Sequence, residues 1–243
     1  MSIAEKINAI AENVEKVFEA GQRSGGNDAF WEEFQQGGQR TAYGYAFVSW
    51  TDAMFTPRYD IKPAADGGSD MFYKTAITDL NGLLDARGKV LDTSQATKLD
   101  YAFNSALNLT SIPALDLKNC TSLKSTFKHP NRASQVEEIT LNNLKSTCVF
   151  QDTFYGCTAL TSLTITGTIG QNGFNVTECP LSKDSIGSIL KALENKTGSG
   201  FTITLGDTNK GTLQDMMDSN GLPEGVTVTL ENGAYKCKGW TLA

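Results

Sequence analysis

Aliphatic residues recur along the middle of this chain at an interval of 24: Leu91, Leu115, Ile139 and Leu163. Two positions further on stand Thr93, Leu117, Leu141 and Ile165, and a companion column of Ile112, Val136 and Leu160 keeps the same interval three residues upstream. Phe103 and Phe127 form another column, and Cys120 aligns with Ala96 and Leu144 in a slot for a small to medium inward side chain. Self-similarity at a fixed period of this length marks a repeat architecture. Each unit is one coil carrying a short strand, and a single coil cannot bury its own apolar edge. Stacking coils side by side supplies the missing neighbour. The expected fold class is therefore an α/β solenoid with a period of 24 over residues 71–180.

Strand geometry then sorts the side chains. Successive residues point to opposite faces, so Leu115 and Leu117 turn inward while Asp116 and Lys118 turn outward. The outward ladder expected across the coils is Asp92, Ser94, Asp116, Lys118, Thr140, Asn142, Thr164 and Thr166. It is polar and slightly acidic at the front and fades to hydroxyls and an amide at the back. Regular spacing lets one such face present a wide contact area, and this ladder is the expected binding surface.

The flanks read differently. Within residues 1–22, Ile3, Ile7, Ile10, Val14 and Val17 alternate spacings of four and three, the heptad pattern of a helix with one apolar seam. About two and a half heptads are too few for a stable isolated helix, so the seam needs a partner. That partner is a set of copies of itself or the body of the domain, the second case making it a capping helix. β-Branched residues at both seam positions lean toward a trimer or tetramer. Residues 23–70 are rich in aromatics, among them Phe30, Trp31, Phe34, Tyr43, Tyr45, Phe47, Trp50, Phe55 and Tyr59. Such density predicts a packed N-terminal cap module ahead of an exposed stacking surface for sugars.

Beyond Pro180 the period is lost, and 181–243 reads as a C-terminal α/β cap. Ser182 is a good N-cap, and Ile186, Ile189, Leu190 and Leu193 form the apolar stripe of a helix of about three turns. Phe201 to Leu205 and Val226 to Leu230 alternate as strands, with a short helix expected over Asn209 to Asp218.

Several chemistries are disfavoured by what the chain contains. The net charge is −6, and no Lys or Arg cluster exceeds a pair, so nucleic acid is not an expected partner. No stretch approaches a membrane span, and the opening residues lack the basic head and apolar run of an export signal, which leads us to expect synthesis in a cytoplasm with no membrane insertion. Five cysteines without a Cys-x-x-Cys pair read as buried thiols rather than a disulfide framework or a zinc site.

Candidate catalytic motifs fare no better. His129, within His129-Pro130-Asn131, reads as a packing or surface residue of a loop. Asp66-Gly67-Gly68-Ser69-Asp70 is too short for a calcium loop, and Gly206 to Thr212 has phosphate-loop composition in the wrong order, so a helix-capping turn is expected there. Asp92 and Asp116 are paired carboxylates on adjacent coils, better explained as solvated repeat positions than as a glycosidase pair. No enzyme, cofactor or metal is expected.

With these residues in view, the repeats resemble the BspA-type leucine-rich repeats, whose units run through Phe-x-x-Cys-x-x-Leu-x-x-Leu, as in Phe154 to Leu163 here. The front end resembles leucine-rich-repeat proteins encoded among the virion structural genes of phages and prophages of gut Firmicutes. The residues concerned are Ile3 to Lys6, Ile10 to Val14, Phe30 to Gln35, Arg40-Thr41 and Arg58 to Pro63. Leu181-Ser182, Thr204 to Gly206, Thr208-Asn209 and Lys238 to Ala243 resemble the tail of the same group. One departure is Gly221 to Gly225, where that group runs a helix straight into its ending. The resemblance implies a virion structural protein (tail, baseplate, fibre or head decoration) that meets other virion proteins or a host cell-surface receptor. The rivals are a bacterial surface adhesin of the same repeat family and an intracellular protein-binding scaffold.

Overall fold

The computed structural model describes Phe47 and residues 50–63, 68–130 and 134–243. The heptad seam Ile3, Ile7, Ile10, Val14 and Val17 lies outside the described residues, as do the aromatics from Phe30 to Tyr45.

Helix α1, Leu80–Asp85, is capped by Asp79, whose carboxylate accepts from the Gly82 amide at 2.9 Å. Strands β1 (Leu115–Asp116), β2 (Glu138–Leu144) and β3 (Ser162–Gly167) form a parallel sheet in that order. Side chains alternate as a pleat requires, so that Leu115, Ile139, Leu141, Leu163 and Ile165 are all buried. Isolated parallel bridges join further segments on both sides of this sheet, including Ile61 with Leu91, Lys98 with Ser122, Ser122 with Val149 and Ile169 with Leu193.

The register of this sheet departs from a strict interval of 24 between β1 and β2 and again beyond Leu141. Ile139 pairs with Leu163 and Leu141 with Ile165, but Leu115 pairs with Leu141 and not with Ile139. The loop after Phe127 is the cause: Phe103 to Leu115 spans 12 positions, whereas Phe127 to Leu141 spans 14. Asn143, in the left-handed region at φ 58°, takes up one more residue as a bulge in β2. By the next turn the offset has therefore grown to 27, as the Ser122 to Val149 bridge records. The same slip moves the small inward slot. Ala96, Cys120 and Cys148 each close a turn onto the carbonyl three residues back, so Cys148 occupies the place the even interval assigns to Leu144.

A row of phenylalanine rings runs across these segments. Phe47, Phe72, Phe103, Phe127 and Phe154 stack in succession, with centroids 4.7, 5.4, 5.6 and 5.8 Å apart and planes within 15° of parallel. Phe174 comes only 20 residues after Phe154 and meets it edge-on at 62°. A single apolar core runs from Phe47 to Leu242.

The C-terminal part closes the sheet with a helix instead of a strand. Helix α2, Lys183–Ala192, starts at Ser182, whose hydroxyl accepts from the Ser185 amide. Its buried Ser185 and half-buried Ser188 face β3 and accept from the amides of Leu163 and Ile165, both at 2.8 Å. Strand β4 (Thr202–Ile203), helix α3 (Asp207–Asp218) and strands β5 (Thr229–Glu231), β6 (Ala234–Cys237) and β7 (Trp240–Leu242) follow. The sheet order is β4-β7-β6-β5, parallel only between β4 and β7.

Asn209 ties this part to the segment before it. Its amide nitrogen donates to the carbonyls of Val176, Cys179 and Leu205, and its oxygen accepts from the Leu181 amide. Gly206, at φ 79°, begins α3 against Thr177. Helix α3 stops at Asp218, so Gly221 to Gly225 separates it from β5 and the chain reaches Trp240 through antiparallel strands.

Candidate binding surfaces

Strand β2 and its neighbours set most of the expected outward ladder on one polar face. Thr164 and Thr166 are exposed, as is Lys118, while Asp92, Asp116, Thr140 and Asn142 are half-buried. Ser94 is not part of that face. It is buried at 7% exposure, and its amide turns back onto the Asp92 carboxylate at 3.0 Å. Hydrogen bonding from the Ser94 side chain, joined by its amide and by Lys62 and Lys118, holds the Asp92 carboxyl below the usual range despite partial burial.

Side chains on this face also link one strand to the next. Asp116 accepts from the amide of Lys118 at 3.1 Å and from the side chain of Asn143 at 3.0 Å, and Thr166 donates to Asn142 at 3.3 Å. The Asn143 amide in turn donates to Thr166. Asn143 was not in the expected ladder because strict alternation turns it inward; the bulge turns it out. Such a mesh fixes its members' rotamers before any partner arrives, which lowers the ordering cost of binding.

The remaining sequence candidates are placed as follows. His129 is buried at 4% exposure, and its Nδ1 has no hydrogen-bond partner among the described residues. Burial pushes its pKa down to about 4. The described part of the Asp66 to Asp70 turn includes Asp70, whose carboxyl is raised by burial and by the Asp100 charge beside it. Among the described residues no three His, Cys, Asp or Glu side chains converge as a metal would need. The stretch from Gly206 to Thr212 is the start of α3. All five cysteines are free and buried.

A second surface lies on the turn side of the ring row, where none of the expected ladder residues stands. Tyr73, Tyr101 and Tyr155 flank the stacked rings, with the ammonium groups of Lys74, Lys124 and Lys128 at 5.0, 5.9 and 5.2 Å from their ring centres. Lys128 also pairs with Asp152 at 2.8 Å. Tyr155 is 47% exposed and Val149 43%. Both line an open groove of about 770 Å³ between residues 149–155 and 172–178, together with Gln151, Asp152 and Glu178. The sequence signal for this surface was a tyrosine beside a column phenylalanine in Phe72-Tyr73 and Phe154-Tyr155, which reads as core until the neighbouring turn is placed.

Comparison of the chain with family models, curated proteins and solved structures finds no match. No helix among the described residues is long and apolar enough to cross a membrane.

Proposed function

We propose that this chain is a leucine-rich-repeat solenoid without catalytic function, a structural protein of a phage particle that uses a flank of its coils to bind another virion protein or a host surface. The observation that carries the repeat reading is the row of five parallel phenylalanine rings from Phe47 to Phe154, one per coil. Identical side chains stacked at this spacing are what coils of near-equal length produce when they lie side by side. The particle assignment is supported by the resemblance of the two flanks, and the strand face around Asp116, Asn142 and Thr164 is the binding surface it favours.

The test is mass spectrometry of density-purified particles from an induced lysogen encoding the chain. Its peptides are expected to travel with the particle band in a fixed ratio to the capsid protein. Recovery only from the soluble fraction overturns the particle assignment. Mass photometry of the purified chain tests the N-terminal seam: oligomers should disappear when residues 1–20 are deleted, and a monomer in both cases leaves docking on the domain as the role of that segment.

A further inference from the structure

The turn-side hydrogen bonds form a ladder that stops abruptly. Leu99, Tyr101, Phe103 and Ser105 donate their amides to the carbonyls of Ser122, Lys124, Thr126 and Lys128. One turn later Leu123, Ser125, Phe127 and His129 donate to Val149, Gln151, Thr153 and Tyr155. The next four amides in this series belong to Phe150, Asp152, Phe154 and Gly156. Of these, only Gly156 has an acceptor among the described residues, the Glu178 carboxylate at 2.5 Å. The amides of Phe150, Asp152 and Phe154 donate to no group among the described residues.

Chain length explains the break. The following segment reaches Phe174 in 20 residues where its predecessor took 27 to reach Phe154. It therefore crosses early, pairs Val176 and Phe174 with Thr204, and leaves the groove where a full-length neighbour would lie. The strand side of the same end is treated differently, since Ser185 and Ser188 satisfy the amides of Leu163 and Ile165. One edge is closed and the other is left with three donors in a row.

We infer that this groove binds a polypeptide segment of a partner, which completes the ladder by offering main-chain carbonyls at every second residue to the amides of Phe150, Asp152 and Phe154. Unpaired amides at the edge of a ladder are a template for an added chain. The carbonyl rows at residues 122–128 and 149–155 show the spacing such a ligand supplies. Glu178 shows that an oxygen acceptor takes the fourth position. The carboxylates of Asp152 and Glu178 in the groove work against a polyanion, and sugar hydroxyls do not repeat at the spacing of alternate carbonyls. Val149 and Tyr155, both exposed, supply apolar contact for the segment's side chains.

This inference rests on the chain being a binding protein but not on its place in a particle, so the two tests fail independently. The probe is a nonapeptide with the sequence of residues 121–129, the part of this chain that already supplies such a carbonyl row. It is titrated into the full-length, ¹⁵N-labelled protein. The amides of Phe150, Asp152 and Phe154 are expected to exchange with solvent faster than those of Leu123, Ser125 and Phe127 in the free protein. With peptide they should shift saturably and gain protection. Gln151→Trp, which fills the groove at an exposed residue, should abolish these shifts without lowering the thermal midpoint. Slow exchange of the three amides in the free protein, absence of selective shifts, or equal shifts with maltotetraose would each overturn the proposal.

Discussion

The amide of Leu163 donates to the hydroxyl of Ser185 at 2.8 Å, and that hydroxyl is itself 3.1 Å from the carbonyl of Thr161. A helical side chain thereby does for β3 what a fourth strand would do. Ser188 repeats the arrangement three residues later with both the amide and the carbonyl of Ile165. The spacing of three keeps both serines on the face of α2 that meets the sheet.

Ser185→Ala leaves the buried Leu163 amide without a partner. The expected cost is roughly 1–3 kcal/mol in urea denaturation, with an unchanged slope. The double variant with Ser188→Ala uncovers the β3 edge, and concentration-dependent association in sedimentation should follow. A double variant as stable and monomeric as the parent would show that the hydroxyls do not close this edge.

Phe127 stands between Phe103 and Phe154, within 5.6 and 5.8 Å of their ring centres, and is 2% exposed. Phe127→Ala should destabilise by about 3–5 kcal/mol, because the removed ring leaves a cavity between two stacked neighbours that cannot collapse onto each other. Phe127→Leu retains much of the volume and should lose less. Equal losses for the two variants, measured by chemical denaturation, would place the effect outside the ring stack.

The parts of this arrangement that the sequence made legible are those where one period governs one face. The buried pairs Ile139 with Leu163 and Leu141 with Ile165 follow directly from the interval of 24. The start of α2 was legible on separate grounds, because Ser182, Asp184 and the Ile186 to Leu193 stripe agree with one another. Illegible were the slips. The two extra residues after Phe127 change the register of Leu115, and together with the left-handed Asn143 they move the small inward slot from Leu144 to Cys148. The groove was hidden for a related reason: it arises from a missing length of chain between Phe154 and Phe174, and a deletion leaves no residue to read.

Register has its own measurable consequence. Leu141 is fully buried and pairs with both Leu115 and Ile165, whereas Thr164 is exposed on the same sheet. Leu141→Asp places a charge in the core and should abolish the cooperative unfolding transition. Thr164→Asp should stay within about 0.5 kcal/mol of the parent. Similar midpoints for the two variants in circular dichroism melts would mean that the faces have been assigned wrongly.

His129 adds a dependence on pH. Its pKa of about 4 in the folded chain lies below the ordinary 6.5, so between these values the unfolded chain binds a proton that the folded chain refuses. The contribution is present above about pH 6.5 and is lost as pH falls toward 4. Between about pH 7 and pH 4.5 the unfolding free energy should drop by about 2 kcal/mol on this account. His129→Leu should remove that share of the drop, leaving the part due to carboxylates. It also removes the unpartnered Nδ1, so no loss at neutral pH is expected from hydrogen bonding. An unchanged pH slope in the variant would assign the acid sensitivity elsewhere.

The cysteines test how tightly the successive segments close on one another. Cys157 donates its thiol to the Phe127 carbonyl one segment back at 3.2 Å, and Cys120 to the carbonyl of Ser122 at 3.2 Å. Burial raises the thiols of Cys157 and Cys237, and pushes Cys179 up to about 12. The Cys148 thiol is raised chiefly by the hydrogen bond it shares with Cys120 and then by burial, and the same contact lowers Cys120. All five are buried, so they should resist a disulfide reagent such as DTNB in the native protein near pH 8 and react only as the core opens. All five should titrate at once in denaturant. Rapid stoichiometric labelling without denaturant would mean that the inward column through Ala96, Cys120 and Cys148 is open to solvent, and that the segments on either side of it do not pack as a continuous core.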